Sequence, residues 1–136
     1  MADRSFHKLA VQGVRHVEYN CSIAIASGAP VFVEGDLPAV AAGSYLTLAD
    51  TGTGLITVTT KDKFLGSVSC IAHQNKATAS LNSVCNAGTP TQNSDGTWSV
   101  LITTGANSAG THSAADMSTG DTVSLRWVLR NSSVKP

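Results

Sequence analysis

Acid–base or metal chemistry in this chain has four histidines to draw on, His7, His16, His73 and His112, together with nine acidic residues. The tightest pairing is His112 with Asp116 in "THSAAD", four residues apart and so on one face of a helical turn. Two ligands fall short of the three or four that a zinc site needs, so the pair reads as a loop histidine beside a capping carboxylate. His16 and Glu18 alternate onto one strand face, where an ordinary surface ion pair accounts for them. No G-x-S-x-G elbow is present, and the spacings of Cys21, Cys70 and Cys85 match no zinc or redox motif. "GTGLIT" is rich in glycine but runs into a β pattern, so it lacks the helix N-terminus that holds a phosphate. The expectation is no enzyme, no cofactor and no metal. An enzyme would instead need a pocket gathering His112 or His73 with two acids.

Composition narrows the class further. A chain of 136 residues is one domain by size, 1–136, and is large enough to close a core without disulfides. Only 13% of residues are charged, about half the usual share. Polarity comes instead from 15 Thr and 16 Ser, which favour strands and turns over helix interiors. Nine basic and nine acidic side chains cancel, leaving no field to attract nucleic acid or an anionic membrane. The N-terminal "MADRSFHKLA" lacks the apolar run of a signal peptide, and nowhere do 18 apolar residues follow one another. These features, with an odd number of cysteines, give the expectation of a protein made in the cytoplasm with reduced thiols. The charges are uneven: Glu18, Glu34, Asp36 and Asp50 occupy 16–60 without a Lys or Arg, while Arg4, Lys8, Arg15, Arg126, Arg130 and Lys135 lie toward the ends.

The elements that position these residues read as strands. Val17, Tyr19, Cys21, Ile23 and Ile25 alternate with polar or small residues over 14–26, and Val123, Leu125, Trp127 and Leu129 do so over 121–130. The second register buries the tryptophan and turns Arg126 and Arg130 outward. Further strands are expected at Val31–Glu34, 44–49, 54–60, 65–73, 76–84 and 97–104, with turns at "ADTGTG", "NAGTPTQNSDG" and "STGD". The span 105–120 has no alternation and reads as a long surface loop with one helical turn at Ser113–Met117. "GTGLITVTT" and "GTWSVLITT" echo each other, as two turn-then-strand units written in one alphabet do. Trp98 and Trp127 fall at inward positions. The fold class is all-β, a single-domain antiparallel β-sandwich, jelly-roll-like.

Three stretches carry a resemblance: "SGAPVFVEGDLPAVAAG", "GTGLITVTTKDKFLGSVSC" and "AADMSTGDTVSLRWVLRNSSV". In them a glycine-rich turn leads into a threonine-rich strand and "KDKF", an "AAD" loop comes late, and the chain stops on "RNSSV". On these, over roughly its whole length, the chain resembles capsid decoration or cement proteins of tailed bacteriophages of the marine type. The resemblance implies a virion protein on the outer capsid surface, binding as homotrimers or homodimers and bridging neighbouring major capsid protein subunits.

The contacts expected from the residues are the ends. Arg4, Phe6, His7 and Lys8 form a polar-basic N-terminal arm within residues 1–10, and Arg126 and Arg130 leave the final strand on its outer side. The alternative is a head-fibre or tail-associated domain contacting the host surface or a glycan, for which Tyr45 and Trp98 are the aromatic candidates.

Overall fold

The computed structural model describes residues 16–77 and 83–131. Among the described residues ten strands and one short helix follow in order: β1 His16–Ala26, β2 Ala29–Val33, α1 Ala39–Tyr45, β3 Leu46–Gly52, β4 Leu55–Thr60, β5 Gly66–Asn75, β6 Ser83–Ala87, β7 Thr91–Gln92, β8 Trp98–Ser108, β9 Thr111–Ala114 and β10 Thr122–Arg130. They form the expected all-β antiparallel sandwich. One sheet runs β2-β1-β10-β5 and the other β3-β4-β8-β6, with β7 and β9 also paired to β8.

Alternation dictates this arrangement. Tyr19, Cys21 and Ile23 of β1 and Val123, Leu125, Trp127 and Leu129 of β10 are all buried, and the two strands pair Cys21 to Leu125 and Tyr19 to Trp127. Opposite them lie Ile56 and Val58 of β4 with Val100 and Ile102 of β8, paired Ile56 to Ile102 and Val58 to Val100. The two echoing stretches are therefore antiparallel neighbours in the core of one sheet. Each ends on a buried threonine: Thr60 accepts from the Trp98 backbone N–H at 2.9 Å, and Thr104 donates to the Ala115 carbonyl at 2.8 Å. Trp127 is fully buried and donates its indole N–H to Ser67 Oγ at 2.9 Å, satisfying its one polar atom.

Three expectations are corrected. The span 105–120 is not a long loop: β8 continues to Ser108 and turns back as β9, pairing Gly105 with Ala114 and Ser108 with Thr111. Its two-residue turn, Ala109 and Gly110, has φ of 50° and 80°, the mirror-image geometry whose twist matches a hairpin. The same device closes β1 onto β2 at Ser27 and Gly28. Ser113 and Ala114 lie in β9 and no helix forms at Ser113–Met117, because the strand ladder takes their backbone groups.

The second correction concerns 44–49. Ser44 and Tyr45 end α1, and the strand begins at Leu46. Ala39, Ala41 and Ala42 are strong helix formers, and the segment starts directly after Pro38, whose fixed φ suits a helix start. The third concerns 76–84: β5 ends at Asn75 and β6 covers Ser83–Ala87, while 78–82 lie outside the described residues. A buried carboxylate stops β5 there. Asp121 accepts from the Ala77 backbone N–H at 3.0 Å, the Lys76 ammonium at 2.9 Å, Gln74 Nε2 at 3.2 Å and the Ser118 backbone N–H at 3.3 Å. Among the described residues no helix is long and apolar enough to cross a membrane.

Candidate docking face

The outer face of the β2-β1-β10-β5 sheet collects the outward residues of three neighbouring strands. Register places Asn20, Arg126 and Ile71 in one row across the sheet and Ser22, Ser124 and His73 in the next. The serines are short, so their row sinks between larger neighbours. The result is an open trough of about 540 Å³, walled on one side by Gly35 and Asp36 and on the other by Ile71 and His73. Leu37 fixes that wall by donating its N–H to the Asn20 carbonyl at 2.9 Å, and a Cβ at Gly35 would come within 2.7 Å of Ser22 Oγ. A larger residue there would push the Ser22 hydroxyl aside.

The polar groups of the face are tied together. Arg126 donates through Nε to Glu18 Oε1 at 2.9 Å, and Asn20 Nδ2 donates to the same oxygen at 2.8 Å. The amide of Asn20 first, and the Arg126 guanidinium second, hold the Glu18 carboxyl below its ordinary value. The pair stays in solvent, with side chains 59% and 40% exposed, so it adds little to stability and remains available to a partner. Asn75 Nδ2 donates to Ser124 Oγ at 2.8 Å.

Apolar groups complete the face. Ile71 is 57% exposed and Val68 54%. A bulge opposite Val128 and Leu129 turns Val68 and Ser69 outward in succession. Leu65, just before the strand, is half exposed. The opposite outer face differs: Thr51 with Thr57, Thr59 with Ser99, and Asn93 with Ser99 hydrogen-bond to one another at 2.9–3.2 Å, leaving Leu101 as its large exposed apolar group.

The sequence-derived candidates distribute unequally. Arg126 stands on this face. Arg130 points the same way but is half-buried over Gly66, and its Nε is buried with no partner among the described residues. Arg4, Phe6, His7 and Lys8 lie outside the described residues. His112 is exposed on β9 opposite Asn107, while Asp116 accepts from the Gly54 N–H at 2.6 Å, so the strand and the turn part this pair. His73 shares the trough with one carboxylate, Asp36. Trp98 is half-buried and donates its indole N–H to the Phe64 carbonyl at 3.0 Å.

All three cysteines are free thiols, and burial pushes Cys21 and Cys85 up to about 11. Burial, with Cys21 nearby, takes Cys70 to about 12, so none forms a reactive thiolate at neutral pH. Among the described residues no group of three or more His, Cys, Asp or Glu is placed to hold a metal ion.

Sequence reasoning missed Ile71, Val68 and Asn20. The one signal for Ile71 was a large aliphatic at an outward position of a strand whose opposite positions are small. Comparison with protein-family models, with curated proteins and with solved structures returns no match.

Proposed function

We propose that this chain is a capsid decoration protein of a tailed phage, docking on the outside of the assembled head and bridging neighbouring major capsid protein subunits. The observation that carries the proposal is the unequal pair of outer faces. One is covered largely by hydroxyls and an amide that hydrogen-bond to one another, with Leu101 as its large exposed apolar group, and the other sets Leu65, Val68 and Ile71 beside an exposed ion pair and a trough. Apolar anchors rimmed by polar groups are the anatomy of a protein contact. The resemblance of the three quoted stretches to decoration proteins supplies the partner.

A standard contact hides about 800 Å² on each partner. That is about a tenth of this chain's 8103 Å² of accessible surface. Repetition over a shell turns a modest single contact into firm retention, and a bridge between subunits opposes the outward pressure of packaged genome. On this reading the Arg126–Glu18 pair supplies polar contacts at the rim of the face, and the polar-basic arm carrying Arg4, Phe6, His7 and Lys8 adds a second contact.

Co-sedimentation with undecorated heads tests the proposal. Wild-type protein pellets with the shells at stoichiometric occupancy, and Ile71→Asp with Arg126→Glu stays in the supernatant while melting at the wild-type temperature. Arg4→Glu with Lys8→Glu lowers occupancy at moderate salt. Failure of the wild-type chain to pellet would overturn the assignment.

A further inference from the structure

The "KDKF" stretch, Lys61-Asp62-Lys63-Phe64, takes no part in the docking face. It walls a second pocket of about 510 Å³ at the end of the sandwich where β1 begins and β10 finishes. We infer that this pocket, with an aromatic floor of Tyr19, Tyr45 and Phe64 and a rim of Asp62, Lys63 and Asn131, is a binding site for a neutral pyranose sugar.

The floor is built in advance. Tyr45 and Tyr19 stack with centroids 5.6 Å apart and planes 24° from parallel, and Phe64 meets Tyr19 edge-on at 6.2 Å. Tyr19 and Phe64 are buried, whereas Tyr45 is 43% exposed, so the stack presents one ring to solvent and braces it from beneath. A pyranose carries C–H groups on one side that suit such a ring, and hydroxyls around its edge that need both donors and acceptors.

The wall is equally fixed. Lys61 N–H donates to the Tyr45 carbonyl at 2.9 Å, and Thr60 Oγ1 donates to the Asp62 carbonyl at 2.8 Å. Phe64 N–H donates to the Gly96 carbonyl at 3.1 Å. The Phe64 carbonyl accepts from Gln92 Nε2 and Trp98 Nε1 at 3.1 and 3.0 Å, and Leu65 N–H donates to the Arg130 carbonyl at 2.9 Å. A segment secured at so many points spends its hydrogen bonds through the backbone and leaves the Asp62 and Lys63 side chains on the rim. A site that needs no ordering on binding gives up little affinity to entropy.

Charge selects the ligand class. Asp62 beside tyrosine rings would by itself favour a cation, but Lys63 shares the rim and opposes that field, its stem lying along Gly96 and its charge acting on Asp95 as well. The rim then offers a carboxylate acceptor, an ammonium donor and the Asn131 amide, a set with no net charge. This site adjoins the docking face at Leu65 but shares no lining residue with its trough, and its test needs no capsid.

The experiment is a titration of ¹⁵N-labelled full-length protein with methyl β-D-glucopyranoside, methyl β-D-galactopyranoside and N-acetylglucosamine, each at millimolar concentration. At least one sugar gives saturable amide shifts confined to Tyr45, Asp62, Lys63, Phe64 and their neighbours. Tyr45→Ala weakens that binding about tenfold, and Tyr45→Phe, which keeps the ring, holds it within about twofold. Unchanged Val58 and Ile102 amides, both in the core, show that the sandwich is intact. If Tyr45→Ala disturbs them, Asp62→Ala takes its place and is expected to weaken binding as well. No saturable shift with any of the three sugars overturns the inference. So does an equal response in the variant, or a response to tetramethylammonium chloride in place of the sugars.

Discussion

Two buried polar residues carry stability that can be measured one at a time. Asp121 is pushed up by burial, but hydrogen bonds from the Ala77 N–H and the Lys76 ammonium, with the charge of that lysine and the Ser118 N–H, outweigh it and leave the carboxyl below its ordinary value. A depressed carboxylate stabilises the fold above its unfolded pKa of about 3.9, and that stabilisation is lost as pH falls through the lower folded value. Urea unfolding as a function of pH should therefore show stability dropping below about pH 4, with a shallower drop in Asp121→Asn. Thr60 offers a second test. Its hydroxyl accepts from the Trp98 N–H, and Thr60→Val leaves that donor without an acceptor at a cost of about 1–3 kcal/mol, read from the shift in urea midpoint. The sequence shows Thr60 only as the last letter of a threonine-rich strand, since its partner lies 38 residues away.

Among the elements, β10 and β1 from His16 onward were legible, because a buried strand with one polar face writes its period into the chain, while 14–15 of the expected first strand lie outside the described residues. The β8–β9 hairpin was not. Its turn is Ala-Gly where Asn-Gly would announce itself, and the paired segments Gly105–Ser108 and Thr111–Ala114 carry no large apolar residue to mark a buried face. Ala109 sits at φ 50°, a conformation that costs a β-carbon about 1 kcal/mol. Ala109→Asn, which tolerates that region, should stabilise the chain by about 0.5–1 kcal/mol in denaturant unfolding, with hairpin amides more protected from exchange. Helix α1 was hidden for a different reason. Seven residues between Pro38 and a strand give too short a stretch for helical periodicity, and Gly43 reads as one more break.

For the whole molecule, the sandwich could be read from alternation and turn spacing, while the choice of docking face could not. That choice depends on which outward residues find partners across strands. Ile71 and Arg126 are 55 positions apart in the chain and adjacent in the sheet, and the Thr59–Ser99 hydrogen bond on the other face is likewise a contact of register. Arg130 shows the converse. Its outward position is plain from the period, yet it lies over Gly66 with its Nε buried. In the proposed function the β1-β10-β5 face is pressed against a protein shell. A density map of the intact phage head tests this most directly. It should show the sandwich on the outside of the capsid, with Ile71 and Arg126 toward the lattice and the threonine-rich β4-β8 face toward solvent. A head whose exterior lacks this chain, or one in which that sheet faces away from the shell, would contradict it.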